Sequence, residues 1–177
     1  MQEYIAILKG IDYDNFHKTM PDLKIAIGSD HAGYRLKDYI SDFLKDKGYS
    51  TYDVGTYSEA RVDYPTFAIK VAEELILKNV KYGILICGSG VGMSIIANRF
   101  PGIRAANCSD SYTAKMSRLH NNANILCLGE RIIGEGLAKE IVEVFISTEF
   151  ERGRHSRRIE LIEEIAIKYW QEFIGRI

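Results

Sequence analysis

The segment Tyr82-Gly83-Ile84-Leu85-Ile86-Cys87, followed at once by Gly88-Ser89-Gly90-Val91-Gly92, constrains this chain more than any other. Six residues without a charge read as a strand covered on both faces, the mark of a parallel sheet. Three glycines in the next five residues permit a tight turn. Met93, Ile95, Ile96 and Ala97 then open a helix. A strand that turns through glycine into a helix is half of a βαβ unit, and such units close by right-handed crossovers.

The same punctuation recurs along the chain. Lys24 to Gly28 is a short apolar strand, and Leu36, Ile40, Phe43 and Leu44 form one helical stripe that Gly48 can end. Ser50 to Val54 reads as a second strand, and Pro65 opens a helix through Phe67, Val71, Leu75 and Ile76. Ile103 to Cys108 and Asn124 to Leu128 are the remaining strands, with a helix between them that Ser109 or Asp110 can cap. Leu137 to Phe145 and Ile159 to Phe173 carry the last two helices. The expected fold is α/β, a three-layer α/β/α sandwich, Rossmann-like, with about five parallel strands. Residues 1–21 are irregular and read as an N-terminal extension, leaving 22–177 as a single domain.

Charge and composition narrow the function. Lys and Arg total 23 against 24 Asp and Glu, so there is no basic field and nucleic acid is not the expected partner. No apolar run nears the roughly 20 residues of a membrane span. The N-terminus shows no basic, then apolar, leader pattern. Three cysteines do not make a disulfide framework and suit a reducing compartment, so a cytoplasmic location is expected.

In open α/β sheets ligands bind beyond the carboxyl ends of the strands. That rule selects Ser29-Asp30-His31, Cys87 to Gly92, Cys108 to Asp110, and Gly129 to Arg131. Backbone N–H groups of Gly88, Ser89, Gly90, Val91 and Gly92 can form a nest for an anion. A dinucleotide site is the rival reading, with Asp110 as its acidic residue, although the third glycine comes one residue early for that fingerprint. A thiolate at Cys87 would face the nest and the start of the next helix, which favours the ionised form. Cys108 and Cys127 lack such a setting and read as core. Arg154 and Arg158 share a helical face and can fork a phosphate. His120 follows a helix and precedes a strand, which by connectivity sets it at the opposite edge of the sheet from Cys87. No Cys-x-x-Cys pair, His-x-x-x-His pair or spaced carboxylate set is present, so no metal site is expected. A thiol base, an anion nest, histidines and paired arginines together suggest acid–base work on a small phosphorylated molecule.

Six motifs occur in order: Gly28-Ser29-Asp30-His31-Ala32-Gly33, Asp63-Tyr64-Pro65, Cys87 to Gly92, Gly102-Ile103-Arg104-Ala105, His120-Asn121 and Gly153-Arg154-His155. In this register the chain resembles the type B ribose-5-phosphate isomerases, of the family that also holds galactose-6-phosphate isomerase subunits. The likeness covers roughly residues 24 to 165. It implies an aldose–ketose isomerase that needs no metal or cofactor and interconverts ribose 5-phosphate and ribulose 5-phosphate. Carried over by position, Cys87 moves a proton between C2 and C1, and the loop Gly88 to Gly92 steadies the enediolate. His120 matches the acid–base group of ring opening, with Asp30 nearby. His31, Arg154 and Arg158 match phosphate contacts, Asn121 and Arg131 match further substrate contacts, and Tyr64 lies close. The resemblance also implies a homodimer or tetramer whose site is shared between subunits, which would bring a remote His120 to a partner's cleft. One branch of the family has a glutamate base where Met93 stands here, so this chain fits the cysteine branch. The alternatives are a hexose 6-phosphate isomerase, of galactose or allose, a nucleotide-binding module, and a catalytically inactive binding subunit. Cys87 and His120 together speak against the last.

Overall fold

The computed structural model describes residues Lys24–Ile174 of the 177-residue chain. The expected extension over residues 1–21 lies outside the described residues. Five strands, β1 (Lys24–Ser29), β2 (Ser50–Asp53), β3 (Tyr82–Cys87), β4 (Ala105–Asn107) and β5 (Ile125–Gly129), lie in the order β2-β1-β3-β5-β4. Every neighbouring pair is parallel. The helices are α1 (Tyr34–Asp46), α2 (Pro65–Ile76), α3 (Val91–Ala97), α4 (Ser111–Asn121), α5 (Glu135–Ser147) and α6 (Arg154–Ile174). The three-layer α/β reading holds.

The layers follow from side-chain alternation along the strands. Ile25 and Ile27 of β1, Ile84 and Ile86 of β3, and Leu126 and Leu128 of β5 pack on α1, α4 and α5. Ala26, Leu85, Cys87, Ile125 and Cys127 face the other way, onto α2 and α3. β3 is therefore covered on both faces and hydrogen-bonded on both edges, as its uncharged run foretold.

Two strands are shorter than expected: β2 ends at Asp53 rather than Val54, and β4 spans only Ala105–Asn107. β4 begins at Ala105 rather than Ile103, because the two preceding N–H groups go elsewhere. Ile103 N–H donates to Phe100 O, and Arg104 N–H donates to the Asn124 side chain at 2.8 Å. These are turn and side-chain bonds, so the ladder starts two residues late.

The first face holds a buried cation. Arg118 of α4 is 1% exposed, with its guanidinium over the rings of Tyr82 and Phe145. It donates to Tyr82 Oη at 2.9 Å, to Asn122 Oδ1 at 2.9 Å, to Thr148 O at 3.2 Å and to Ala123 O. Burial pulls the guanidinium below its ordinary value and pushes the Tyr82 phenol up. Four acceptors and two aromatic faces compensate a charge that would otherwise be costly to bury. The same bonds tie the end of α4 to the segment after α5. Arg118→Met keeps length but loses all four bonds, and is expected to lower stability by roughly 1–3 kcal/mol. Arg118→Lys, which lacks the fork, is expected to restore only part of it. Urea unfolding midpoints measure both.

Candidate active site

The strand order extends one way from β1 and the other way from β3. The crevice between these two strands is thus the switch point where such sheets bind ligands. Ser29 pairs with Ile86 and Cys87 pairs with Gly129, so Asp30, Cys87 and Glu130 leave the sheet at one level. Asp30 N–H extends the pairing to Ile86 O at 3.2 Å. The Asp30 carboxylate accepts the Ala32 N–H at 2.9 Å, which turns the chain back toward α1.

Two glycines set the sulfur's surroundings. A Cβ on Gly33 would stand 2.5 Å from the carbonyl carbon and oxygen of Ile86 and 2.8 Å from the Cys87 nitrogen. Only glycine lets the backbone leading into α1 pass so close to the end of β3. Gly90 precedes α3 with φ +78°, and its N–H donates to Cys87 Sγ at 3.1 Å. A thiolate accepts such a bond more strongly than a thiol. α3 is only two turns long, so the explicit influence on the sulfur is this single N–H rather than a long helix.

Asp30, His31, Ala32, Tyr64, Cys87, Gly88, Ser89, Gly92, Arg131 and Ile132 line one cleft of about 410 Å³. His31 Nδ1 lies 3.2 Å from Val62 O and 3.3 Å from the Val62 nitrogen, which anchors the ring to the loop before α2. Tyr64 lies across Gly92: a Cβ there would come within 2.9 Å of its ring. Arg131 N–H donates to Gly88 O at 3.1 Å, and the Arg131 side chain lies beside Gly88. Of the expected residues, Gly90 is buried and Val91 is exposed, and neither belongs to the cleft lining. Met93 is fully buried in the core on the α2–α3 face.

Sequence reasoning passed over Ala32 and Ile132 as cleft residues. Ile132 stands one position past the Gly129–Arg131 edge that the strand-end rule selected, and the short turn after β5 brings it in. Cys108 to Asp110, also selected by that rule, is not part of the cleft lining. Asp110 caps α4, accepting the Thr113 N–H and hydroxyl at 2.7 Å each, and these bonds hold its carboxyl below the usual range. β5 separates β4 from β3, so Asp110 is not on the strand next to the glycine loop, where a dinucleotide's ribose partner belongs.

The remaining expected residues gather at the other edge of the sheet. His120 and Asn121 end α4 just before the chain enters β5. The His120 ring stacks on His155 at 4.4 Å and 12°. Glu151 Oε2 stands 3.7 Å from His120 Nε2 and 3.8 Å from His155 Nε2. Arg154 Nε donates to His155 Nε2 at 3.2 Å, and Arg154 and Arg158 are exposed at the start of α6. His155 is 4% exposed, and lost hydration, then the nearby His120 and Arg154, hold its imidazole below the ordinary value. Within one chain, Cys87 and His120 do not share a cleft.

A family model described as Ribose/Galactose Isomerase matches residues 25–162. The chain belongs to that family. It is 48% identical over 142 residues to the ribose-5-phosphate isomerase B of Escherichia coli strain K12, covering 80% of this chain and 95% of that protein. The structure of Clostridium thermocellum ribose-5-phosphate isomerase B superposes with a TM-score of 0.81 at 55% identity, over 82% of this chain and 99% of that one. A Thermotoga maritima ribose 5-phosphate isomerase matches with a TM-score of 0.79 at 52% identity, over 80% and 98%.

The three thiols of this family member differ in their setting. Cys87, 6% exposed, lines the cleft, whereas Cys108, 2% exposed, and Cys127, fully buried, do not. Burial pushes the Cys108 thiol up to about 11 and the Cys127 thiol well up too. Both are therefore un-ionised at mildly alkaline pH, and the thiolate is the nucleophile. Iodoacetamide on the folded protein is expected to label Cys87 alone. Peptide mass mapping reads the outcome, and labelling of Cys108 at a matching rate would contradict it.

Proposed function

We propose that this chain is an aldose–ketose isomerase that interconverts ribose 5-phosphate and ribulose 5-phosphate, with Cys87 as the base. The observation that carries the reading is the Cys87 sulfur, at the switch point of the sheet, with the Gly90 N–H directed at it in a cleft beside Asp30, His31 and Arg131. The names of the E. coli and C. thermocellum relatives agree with it.

In this mechanism the Cys87 thiolate takes the C2 proton of the open-chain aldose. The electron pair forms the C1–C2 double bond, and the carbonyl oxygen on C1 becomes an enediolate oxygen. Loop N–H groups between Gly88 and Gly92 stabilise that charge, and they need no reorganisation to do so. A proton passes from the oxygen on C2 to the oxygen on C1, and the Cys87 proton returns to C1, so the product carries a C2 carbonyl and a C1 hydroxyl and the thiolate is regenerated. Arg131 and Tyr64 orient the sugar hydroxyls, and His31 meets the phosphate. Remote binding of that phosphate holds C1 and C2 against the sulfur.

Ring opening is the role proposed for His120, with Asp30 of the receiving cleft. Because His120 lies at the other edge of its own sheet, the proposed site is shared. His120, Asn121, Arg154 and Arg158 of the partner subunit complete the cleft of a homodimer. Exposed apolar side chains support an assembly: Leu161, Ile162 and Ile165 on α6, and Val91 and Ile95 on α3. Single exposed apolar residues are ordinary, but a helix face of them asks for cover. Residues 22–177 form the isomerase domain in this reading, and 1–21 are an appendage. Among the described residues no helix is long and apolar enough to cross a membrane. Three unpaired thiols suit the proposed cytoplasmic setting.

Conversion of ribose 5-phosphate by the purified chain, with and without Cys87→Ala, tests the base. Loss of the general base is expected to cost at least about 10²-fold in kcat with the fold retained. Activity that survives the substitution would discard the base, and wild-type turnover only of a six-carbon sugar phosphate would move the substrate.

The shared site has its own test. Cys87→Ala and His120→Ala chains are each expected to be inactive. Unfolded, mixed and refolded together, they are expected to regain up to about a quarter of wild-type activity, since half the dimers are mixed and each carries one intact site. No recovery in a verified mixed dimer would mean that each site is built from one chain.

A further inference from the structure

We propose that His120, Glu151 and His155 form a binding site for a divalent transition-metal ion, zinc in the first instance, and that its occupation inhibits the isomerase. The residues come from three places: the last turn of α4, the segment after α5 and the first turn of α6. One ligand atom from each lies within 4.8 Å of the others. A tetrahedral zinc ion with bonds of about 2.0–2.1 Å holds its ligand atoms about 3.3 Å apart. The Glu151 oxygen is already 3.7 Å and 3.8 Å from the two Nε2 atoms. Closing on an ion therefore asks the ligand atoms to approach by about 1.5 Å or less, and asks one imidazole to turn out of the stack, because each Nε2 lone pair lies in its own ring plane.

The donor set is chemically suited to the ion. Two imidazoles and one carboxylate are a borderline-soft set that zinc accepts, with a fourth position left for water. The frame is held before any ion arrives. Glu151 N–H donates to Leu119 O at 3.1 Å, next to His120, and His155 N–H donates to Arg152 O at 3.1 Å. The Nε2 atoms of both rings lie within 4 Å of the same carboxylate oxygen.

One contact opposes the ion. Arg154 Nε now occupies the lone pair of His155 Nε2 at 3.2 Å. Zinc must displace that guanidinium, and the two exclude each other by charge. Displacement is the source of inhibition. The ion would take His120 out of acid–base work and move Arg154 from its proposed phosphate contact. This inhibitory part rests on the functional reading above, but metal binding itself does not.

Calorimetric titration of the metal-free full chain with zinc chloride tests the site, using wild type, Cys87→Ser, Glu151→Gln and Glu151→Ala. One zinc per chain is expected for wild type and for Cys87→Ser. Both Glu151 variants are expected to bind at least about tenfold more weakly, the loss that even an outer-shell partner of a metal ligand produces. Glu151 is half exposed and outside the proposed machinery, so both variants are expected to keep basal isomerase activity while requiring at least about tenfold more zinc for inhibition. No binding by wild type would overturn the site. So would binding that Cys87→Ser abolishes and Glu151→Gln leaves intact, which marks the thiolate as the ligand. Zinc bound with the predicted residue dependence, but without effect on ribose 5-phosphate turnover, would keep the site and overturn the inhibition. A wild type that binds zinc and turns over no ribose 5-phosphate would overturn the functional reading and the inhibition, and leave the site standing.

Discussion

The close packing of backbone around the end of β3 is the constraint on which the rest depends. β3 has β1 and β5 on its edges and helices on both faces, so its course is set by four neighbours. Gly33 brings the entry to α1 against the Ile86–Cys87 peptide, and Gly90 folds the loop back over the sulfur. A Cβ on Gly33 would meet the Ile86 backbone at 2.5 Å, and one on Gly90 would meet the Asn107 side chain at 2.2 Å and the Leu128 backbone at 3.0 Å. A reactive group held by packed backbone, rather than by a flexible side-chain network, needs no further ordering when substrate binds.

The molecule sorts its chemistry to two edges of one sheet. At the carboxyl edge lie the sulfur, the N–H loop, Asp30 and His31. The histidine stack and the arginines of α6 gather at the other, fastened by the buried Arg118. Each edge has a different electrostatic character. The first offers backbone donors around a thiol, which suit a charge that develops during reaction. The second concentrates cationic and imidazole groups, which suit a charge already present, such as a phosphate. The proposed homodimer would bring one edge of each subunit against the other edge of its partner.

The fold was legible because its signals are local. Short apolar runs, most of them followed closely by a glycine, marked the strands, and apolar stripes at helical spacing or a capping residue marked the six described helices. The miss at Ile103 and Arg104 has a non-local cause, since Asn124 captures the Arg104 N–H from a distant turn. Much of the cleft was legible too, because strand ends can be located from strands alone. Ala32 and Ile132 were not, as short turns after β1 and β5 decide which side chains come back over the sheet. Asp110 was misplaced by the same rule. Its strand ends at the right level, but at the edge of the sheet, and its carboxylate is already spent on capping α4.

By itself the sequence determined the layers, the parallel sheet and the position of Cys87 at a strand end before a glycine turn. Those features depend on residue type and spacing over a few neighbours. Tertiary structure alone decided which glycines touch backbone, which thiols are buried, and that His120, Glu151 and His155 converge. His120 and Glu151 are brought together by the packing of α4 against α5 and α6, and no periodicity along the chain encodes a contact made by side chains from separate elements.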